Sequence, residues 1–588
     1  MQRRGVEIFV SAILLLTCVL VIYRVYAFGQ ERFFTVDEYQ YAHATWLVSE
    51  GDRPYVDFYE HHFPLSYVIH APVLWLDGSF PEQALRLRAV VFTWWIAAMV
   101  AVGLCVRTKT GDDRAALLSV ILALSLGFSL MSAVDYRADN FGAFLLLLGC
   151  AMLETNRGPK ARRLRAACSG ILLGLAVGMT QKMVFLAGGS VALWLGADVL
   201  LARRSGRKPF VAFPSAFVLG LLGVLVLGLG WLMAEGLLAP AWEITIVQAI
   251  RHEIFYPAVS AYAYIEPFFR TAPVSTSAIV LCVGAYFVLS RDAFWAIPLF
   301  VALLGGILLK AQYPYNYVFF CIAMAVLAAR GVGLAVGLFE SNAGKARRFV
   351  PVLYLLPLLL LPSQWRFVSG TTTNEHQLAI LEKIERFSDP DEVVIDNSGG
   401  ALFRPHASYY YHHGDAHRAM FDEYFRNDLI DDYRRSRALL WIMDYRLLDL
   451  PTKVHQYFLN HYVRADGSLF GLGFHLRHTG ETGHSMLIDV IREGDYHVFP
   501  APVRLSMALG TALRKDREYD FLVDGTPVKG PRVHLEEGEY EIEMLPNSPG
   551  YYVTLLSPDA FLRSEGERFD REMDGADSYQ LLFEYEER

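Results

Sequence analysis

Two carboxylates stand side by side at Asp37 and Glu38, a few residues beyond an apolar run at 8–28 that is long enough to cross a bilayer. A carboxylate in that place can take the proton of an attacking hydroxyl. The same residues also suit a helix start. Thr35-Val36-Asp37-Glu38 fits a capping box, with Glu38 reaching back to Thr35. The two readings coexist if Glu38 caps and Asp37 projects. His61 and His62 follow. Adjacent histidines rarely ligate one ion together, and no carboxylate stands at a supporting helical spacing. Hydrogen bonding to a substrate or to the loop is therefore expected ahead of metal ligation, and no metal or other cofactor is assigned.

A second cluster, "VDYRADN", holds Asp135, Arg137 and Asp139. It can simply end one apolar span, with Asp139 suiting the N-terminus of the next helix. Alternatively, Asp139 orients an acceptor and Arg137 holds a phosphate. A third, "KAQYPYNY", holds Lys310, Gln312, Tyr315 and Asn316. Lys182, Arg270 and Lys310 lie at the ends of apolar runs, where snorkelling cations are common. Taken together they offer charge for an anionic lipid headgroup, and a departing lipid phosphate needs such stabilisation.

The elements that must position these residues are largely membrane-embedded. The chain has 588 residues, 54% of them hydrophobic, too long for one ordinary domain and too apolar for a soluble protein of average make-up. Windows able to span a bilayer lie near 8–28, 88–106, 115–133, 139–154, 166–181, 183–202, 211–238, 272–290, 292–310, 314–339 and 348–362, about eleven in all. The first reads as a retained anchor rather than a cleaved signal. Basic residues fall in alternate loops: Arg107/Lys109/Arg114, then 157–165, 203–208, Arg291 and 345–348. That pattern puts the N-terminus in the cytoplasm and everything after about Pro362 outside it, as expected of a multi-pass membrane protein. The long outer loop at 29–87 contains two apolar-periodic stretches, 39–48 and 64–76, that read as interfacial helices. The polar clusters collect on one membrane face. A transporter would place ionisable groups near the midplane in repeated halves, and no internal repeat is evident. Nothing in the sequence suggests nucleic acid. The six cysteines lie in or beside apolar stretches, none after Cys321, so the tail has no disulfides, and no spacing resembles a zinc site.

After 362 the pattern changes. Residues 363–488 read as an α/β region, and 489–588 as short alternating strands with Gly, Pro and Asp turns, a β-sandwich-like domain. No triad or phosphate loop is apparent in either. Exposed aromatics such as Tyr551 and Tyr552 are candidates for glycan binding, and a structural lid is the plainer reading.

The stretch "DEYQYAHATWLVSEGDRPYVDFYEHHFPL", with "YRADN" at 136–140 and "TQK" at 180–182, resembles the GT-C superfamily of membrane glycosyltransferases that use polyprenyl-phosphate sugars. It is most similar to the bacterial family containing the lipopolysaccharide-core galacturonosyl transferases. A more distant similarity is to the lipid A aminoarabinose transferase and the protein O-mannosyltransferases. Asp37-Glu38, Gly51-Asp52-Arg53-Pro54-Tyr55 and His62-Phe63-Pro64 hold the family's places. Where the family often has His-Tyr near a late span, this chain has Asn316-Tyr317. The resemblance covers roughly 8–330 and implies a helical membrane domain over 1–362. It implies a lipid-linked donor entering from the outer leaflet, and an acceptor that is a glycan, lipid or protein. Asp37 would act as base, with Glu38 and Asp139 beside it, and the anomeric configuration would invert. Substrate would meet Tyr55, His61, His62, Arg137, Lys182, Arg270, Lys310, Gln312, Tyr315 and Asn316. A lipid-linked-sugar flippase and a non-catalytic glycan-binding membrane protein are the alternatives.

Overall fold

A computed structural model describes residues 2–126, 133–154, 159–205, 215–251, 273–290, 294–308, 313–341, 349–360, 362, 373–477, 482–500, 518–548 and 550–556. Arg270, Lys310 and Gln312 lie outside the described residues.

The apolar windows form helices: α1 (Gln2–Glu31), α4 (Phe80–Thr110), α5 (Asp113–Ser125), α6 (Ala138–Glu154), α7 (Pro159–Met179), α8 (Lys182–Ser205) and α9 (Ser215–Ala234). Three more are α10 (Pro273–Leu289), α11 (Ala296–Leu308) and α12 (Val318–Ser341). Among the described residues, four are long and apolar enough to cross a membrane: 5–31, 80–110, 215–234 and 315–341. Most other expected spans fall on shorter apolar helices. The protein is a membrane protein by this belt. Only 6% of the apolar window of α9 is buried, and Leu219, Val226 and Leu227 stand bare, as lipid-facing residues do. In α12 the share is 72%, so it packs inside the bundle.

Helix α9 leans on α7 through glycines. A Cβ at Gly220 would come within 2.4 Å of the Ala167 carbonyl oxygen, and one at Gly170 within 2.1 Å of the Phe217 oxygen. Without a hydrophobic drive between helices in lipid, such close backbone approach supplies the packing.

The outer loop carries α2 (Val36–Glu50) and α3 (Leu65–His70), the latter continuing as a 3₁₀ turn over Ala71–Trp75. The two stretches are helical as expected, but α2 is not an interfacial helix: residues 38–45 and Leu47 are buried within the protein. The Thr35 hydroxyl caps α2 by accepting from the Glu38 amide at 3.3 Å, and Gly51, at φ 101°, closes it in the left-handed region. The Glu38 side chain does not complete the box. It leaves for Arg88 instead, because Arg88, 1% exposed on α4, needs a buried counter-charge.

One polar cluster departs from the expectation of a single charged face. Glu154 at the end of α6 takes Arg330 of α12 at 2.6 and 2.5 Å and the Trp295 indole N–H at 2.8 Å, with Lys109 at 3.9 Å. Lys109 ends α4, whose other end meets the tail, so this lock sits at the far end of the bundle. The hydropathy windows absorbed both residues because a buried pair leaves the surrounding run apolar.

In the tail, helix α13 (Glu375–Phe387) docks under the outer loop. Gln377 exchanges hydrogen bonds with the Phe34 backbone at 2.7 and 2.9 Å, and the Phe80 amide donates to Glu385 at 3.0 Å. Strands β1 (Val394–Ile395), β2 (Leu440–Ile442), β3 (Tyr462–Asp466), β4 (Leu469–Leu476), β6 (Gly494–Pro500), β9 (Arg532–Leu535) and β11 (Tyr551–Thr554) form one sheet, ordered β1-β2-β4-β11-β6-β9 with β3 also on β4. The β1/β2 pair is parallel and the rest antiparallel. β5 (His484–Val490), β10 (Gly538–Met544), β7 (Glu518–Val523) and β8 (Thr526–Lys529) form a four-stranded sheet. The expected boundary at 488/489 falls inside β5, and the larger sheet draws strands from both sides of it. Tyr551 is fully buried between strands, and Tyr552 is partly covered.

The turn Asp396-Asn397-Ser398-Gly399-Gly400 is a docking device. Asp396 accepts from the amides of Ser398, Gly399, Gly400 and Ala401, which folds the turn onto α2. Gly399, at φ 79°, lies where a Cβ would sit 3.2 Å from that of His43. His43 Nδ1 meets the Leu402 oxygen at 2.8 Å, and its Nε2 faces His406 Nδ1 at 3.2 Å. Burial pushes His43 down to about 4 and His406 to about 3, from about 6.5. Both are neutral when folded, so the unfolded chain binds more protons and stability rises with pH. The docked tail is expected to be fully stable above about pH 6.5 and to weaken progressively as pH falls toward 4. Hydrogen exchange of residues 394–413 across that range, compared with a His406→Phe variant, checks it. An unchanged profile in the wild type would contradict the buried neutral pair.

Candidate active site

Helix α2 delivers Asp37 in its first turn, and the loop before α6 delivers Arg137. Arg137 Nη1 donates to Asp37 Oδ2 at 2.6 Å. Its other terminal nitrogen lies 3.7 Å from Asp139, which in turn faces Lys182 Nζ at 3.3 Å. The Arg137 guanidinium lies 3.7 Å from the centroid of the Tyr315 ring, and Lys182 Nζ lies 4.5 Å from it. Asp37, Arg137, Asp139, Lys182 and Tyr315, spread over nearly three hundred residues of sequence, thus make one continuous polar cluster. Burial alone would raise the Asp37 carboxyl. Arg137 first, then Arg446 and His62, more than offset it and hold the carboxyl below the usual range. Asp37 is therefore ionised at neutral pH, and its side chain remains 29% exposed, the most accessible carboxylate of the cluster.

Several polar atoms here lack a partner among the described residues: Arg137 Nε, Thr180 Oγ1 and Gln181 Oε1. Buried polar atoms are usually satisfied, so these are atoms that a ligand could pair. Gln181 Nε2 ties the segment to the His61 carbonyl at 3.0 Å.

Glu38 is placed differently from Asp37. Its carboxylate is gripped by Arg88 at 2.6 and 2.8 Å and accepts the Tyr136 amide at 3.2 Å. Arg88 also donates to the carbonyls of Gly29, Arg32 and Phe33. This buried hub fixes the end of α1, the start of α2 and the loop that carries Arg137. Arg32 pairs with Asp135 beside it.

The histidines have a carboxylate that helical spacing did not reveal, because it is adjacent and in non-helical chain. Glu60, fully buried, accepts from His62 Nδ1 at 2.7 Å and its amide at 3.0 Å. Gln40 and Tyr411 also reach it. His62 Nε2 meets the Tyr41 hydroxyl at 2.8 Å. Glu60, His61 and His62 offer ligand atoms within 4.8 Å of one another. Both His62 nitrogens already make hydrogen bonds, so an ion would have to displace one. Tyr55, expected to meet substrate, donates its hydroxyl to the His62 carbonyl at 2.6 Å from a left-handed backbone, φ 72°. Its hydroxyl holds the loop. Asn316 sits with Tyr315 in the short 3₁₀ turn Pro314–Tyr317.

No protein-family model and no curated protein matches the chain. Solved structures do. ArnT from Cupriavidus metallidurans in the apo state superposes with a TM-score of 0.55 at 13% identity, over 80% of this chain and 98% of that one. The same protein bound to undecaprenyl phosphate gives 0.54 at 12% identity, over 78% and 97%. The chain has the GT-C fold. The oligosaccharyltransferase of Archaeoglobus fulgidus, tethered to an acceptor peptide, also aligns over 92% of this chain and 97% of that one, at 13% identity and a TM-score of 0.47. The outer-loop segment lies against the tail, through Phe34 with Gln377 and His43 with Leu402.

Proposed function

We propose that the protein is a glycosyltransferase that moves a sugar from a polyprenyl-phosphate-linked donor to an acceptor hydroxyl at the outer face of a bacterial inner membrane. The observation that carries this reading is the continuous cluster with a reachable carboxylate, Asp37, at one end and cations Arg137 and Lys182 beyond it, on a GT-C fold. ArnT is solved bound to undecaprenyl phosphate, and the carrier here is taken to be of that kind.

The acceptor oxygen forms a bond to the anomeric carbon while that carbon's bond to the phosphate oxygen breaks. The electron pair leaves on the phosphate, which Arg137 and Lys182 neutralise, joined by Arg270 and Lys310. The acceptor proton passes to Asp37, and the configuration inverts. Asp139 orients Lys182 and Arg137, and Glu38 positions the loop rather than reacting. Tyr315 and Asn316 line the donor side, with Gln312 a further sequence candidate for the donor, and His61 and His62 the acceptor side. A low pKa makes Asp37 a weak base in the resting state. Drawing Arg137 toward the lipid phosphate would raise it as the reaction proceeds.

The test is chemical. Purified full-length protein given an undecaprenyl-phosphate-linked sugar and envelope membranes should release undecaprenyl phosphate. Movement of intact donor across the bilayer without release would instead mark a flippase. Orientation is checked separately: a reporter fused after Arg366 should be active outside the cytoplasm, and one after Arg207 inside. The reverse result at either position would put the site on the wrong face.

A further inference from the structure

Helix α2 turns one stripe of side chains toward the loop before α6. Asp37, Tyr41 and Thr45 follow one another at four-residue spacing, and so share a face. Asp37 takes Arg137 at 2.6 Å, and the Thr45 hydroxyl meets that of Tyr136 at 2.9 Å. Between them, the centroid of the Tyr41 ring lies 5.7 Å from the Arg137 guanidinium, which also faces Tyr315 at 3.7 Å. Tyr41 is buried, and its hydroxyl meets His62 Nε2 at 2.8 Å. His62 Nδ1 meets Glu60 Oε1 at 2.7 Å. Four donors converge on the Glu60 carboxylate: that ring nitrogen, the His62 amide, Gln40 Nε2 and the Tyr411 hydroxyl. Glu60 therefore receives rather than gives. Nδ1 carries the imidazole hydrogen, and Nε2 is left as an acceptor. Burial first and the Asp139 charge second push the Tyr41 hydroxyl well above its usual range, so it remains a donor. The hydrogens thus run one way, from Tyr41 to His62 to Glu60. The outer loop has other ties: the Tyr55 hydroxyl on the His62 carbonyl, Tyr409 on the Tyr55 carbonyl, and Arg53 on Asp57. What the Tyr41 bond adds is a fixed orientation for the ring beside Arg137.

We propose that Glu60, His62 and Tyr41 form a positioning relay that holds the Arg137 guanidinium in line for the departing lipid phosphate. This rests on the transfer reading above. The three residues make and break no bond to the sugar. Glu60 sets the tautomer of His62, His62 holds the Tyr41 hydroxyl, and the Tyr41 ring offers the guanidinium a fixed face. Attraction between a cation and an aromatic face depends on direction. A locked ring therefore limits where Arg137 can swing when it leaves Asp37 for the phosphate. Through Tyr411 on Glu60, the docked tail reaches Arg137 by the same relay.

Full-length wild-type, Tyr41→Phe, Glu60→Leu and Glu60→Gln proteins in nanodiscs are compared, with a double variant combining Tyr41→Phe and Glu60→Leu. Single-turnover release of undecaprenyl phosphate from a linked sugar is measured beside a titration with undecaprenyl phosphate. Tyr41→Phe keeps the ring and removes only its tether. Lost alignment predicts release slowed about 10- to 100-fold. Undecaprenyl phosphate binding should change far less, because Arg137 and Lys182 keep their charges. Glu60→Leu should slow release as far as Tyr41→Phe does, and Glu60→Gln, which still offers Nδ1 an oxygen, should recover part of that loss. The double variant should be no slower than either single one, since links of one relay are not additive. Losses that multiply in the double variant, or a near-normal rate in a folded Tyr41→Phe protein, would overturn the proposal. If Glu60→Leu does not fold, the Tyr41→Phe rate and imidazole nitrogen NMR decide. Signals absent from His62→Gln belong to His62. They should show the hydrogen on Nδ1, and Tyr41→Phe should move the Nε2 signal. A hydrogen on Nε2 would overturn the relay. A wild type that releases no undecaprenyl phosphate would instead defeat the transfer reading, and the same spectra would still judge the relay.

Discussion

Asp37→Asn is expected to lower turnover by about 10²–10⁴ while leaving the protein folded and able to bind undecaprenyl phosphate. The amide keeps the shape and can still accept a hydrogen bond from Arg137 through its oxygen. It cannot take a proton at neutral pH. Arg137 also keeps Asp139 at 3.7 Å, so the cation is not stranded. The measurement is single-turnover release of undecaprenyl phosphate beside a thermal melt and a lipid titration. Near-normal turnover in Asp37→Asn would remove this carboxylate from the chemistry. A loss of lipid binding equal to the loss of turnover would make it a binding group instead.

Arg88→Met should have the largest effect on stability, about 3–5 kcal/mol, because it leaves the Glu38 carboxylate buried without its cation. Three backbone carbonyls, of Gly29, Arg32 and Phe33, lose a donor in the same stroke. Pairing it with Glu38→Gln should recover part of the loss, since the stranded charge is then gone. Unfolding in detergent, followed by protease sensitivity of the outer loop, reads both variants. A cost below about 1 kcal/mol for Arg88→Met would mean that water reaches Glu38 and that the hub is not sealed.

The contrast between these neighbours shows where the sequence is readable. Asp37 and Glu38 are indistinguishable by type, and only the position of Arg88, fifty residues on, separates them. Hydropathy located Arg88 at the start of a span without saying which way it points. The apolar helices themselves were legible because burial in lipid writes long runs. The two outer-loop helices were legible from their period. Asp37, Arg137, Asp139, Lys182 and Tyr315 could be singled out because polar residues beside apolar runs stand out. Glu60 could not, since an adjacent carboxylate in irregular chain has no spacing to notice. Tyr411 lies in a tail whose local pattern gives only strands and helices. Its place depends on the Asp396 turn and on α13 docking to α2 and its flanks, which are long-range facts. The same holds for the sheet that crosses the expected domain boundary: β4 and β11 alternate like any strands, and nothing local says that they pair.

The glycine crossing of α7 and α9 implies that one helix lives under two different regimes of inheritance. On its bare flank, Leu219, Val226 and Leu227 face only acyl chains, and any greasy side chain will serve there. On the other flank, Gly220 has no room even for a methyl group, since its neighbour's carbonyl oxygen already occupies that space. Among descendants of this gene, the outer flank should therefore drift freely among aliphatics while Gly170 and Gly220 stay put. A saturation library of α9, scored for expression, should show the same division within a single turn of helix.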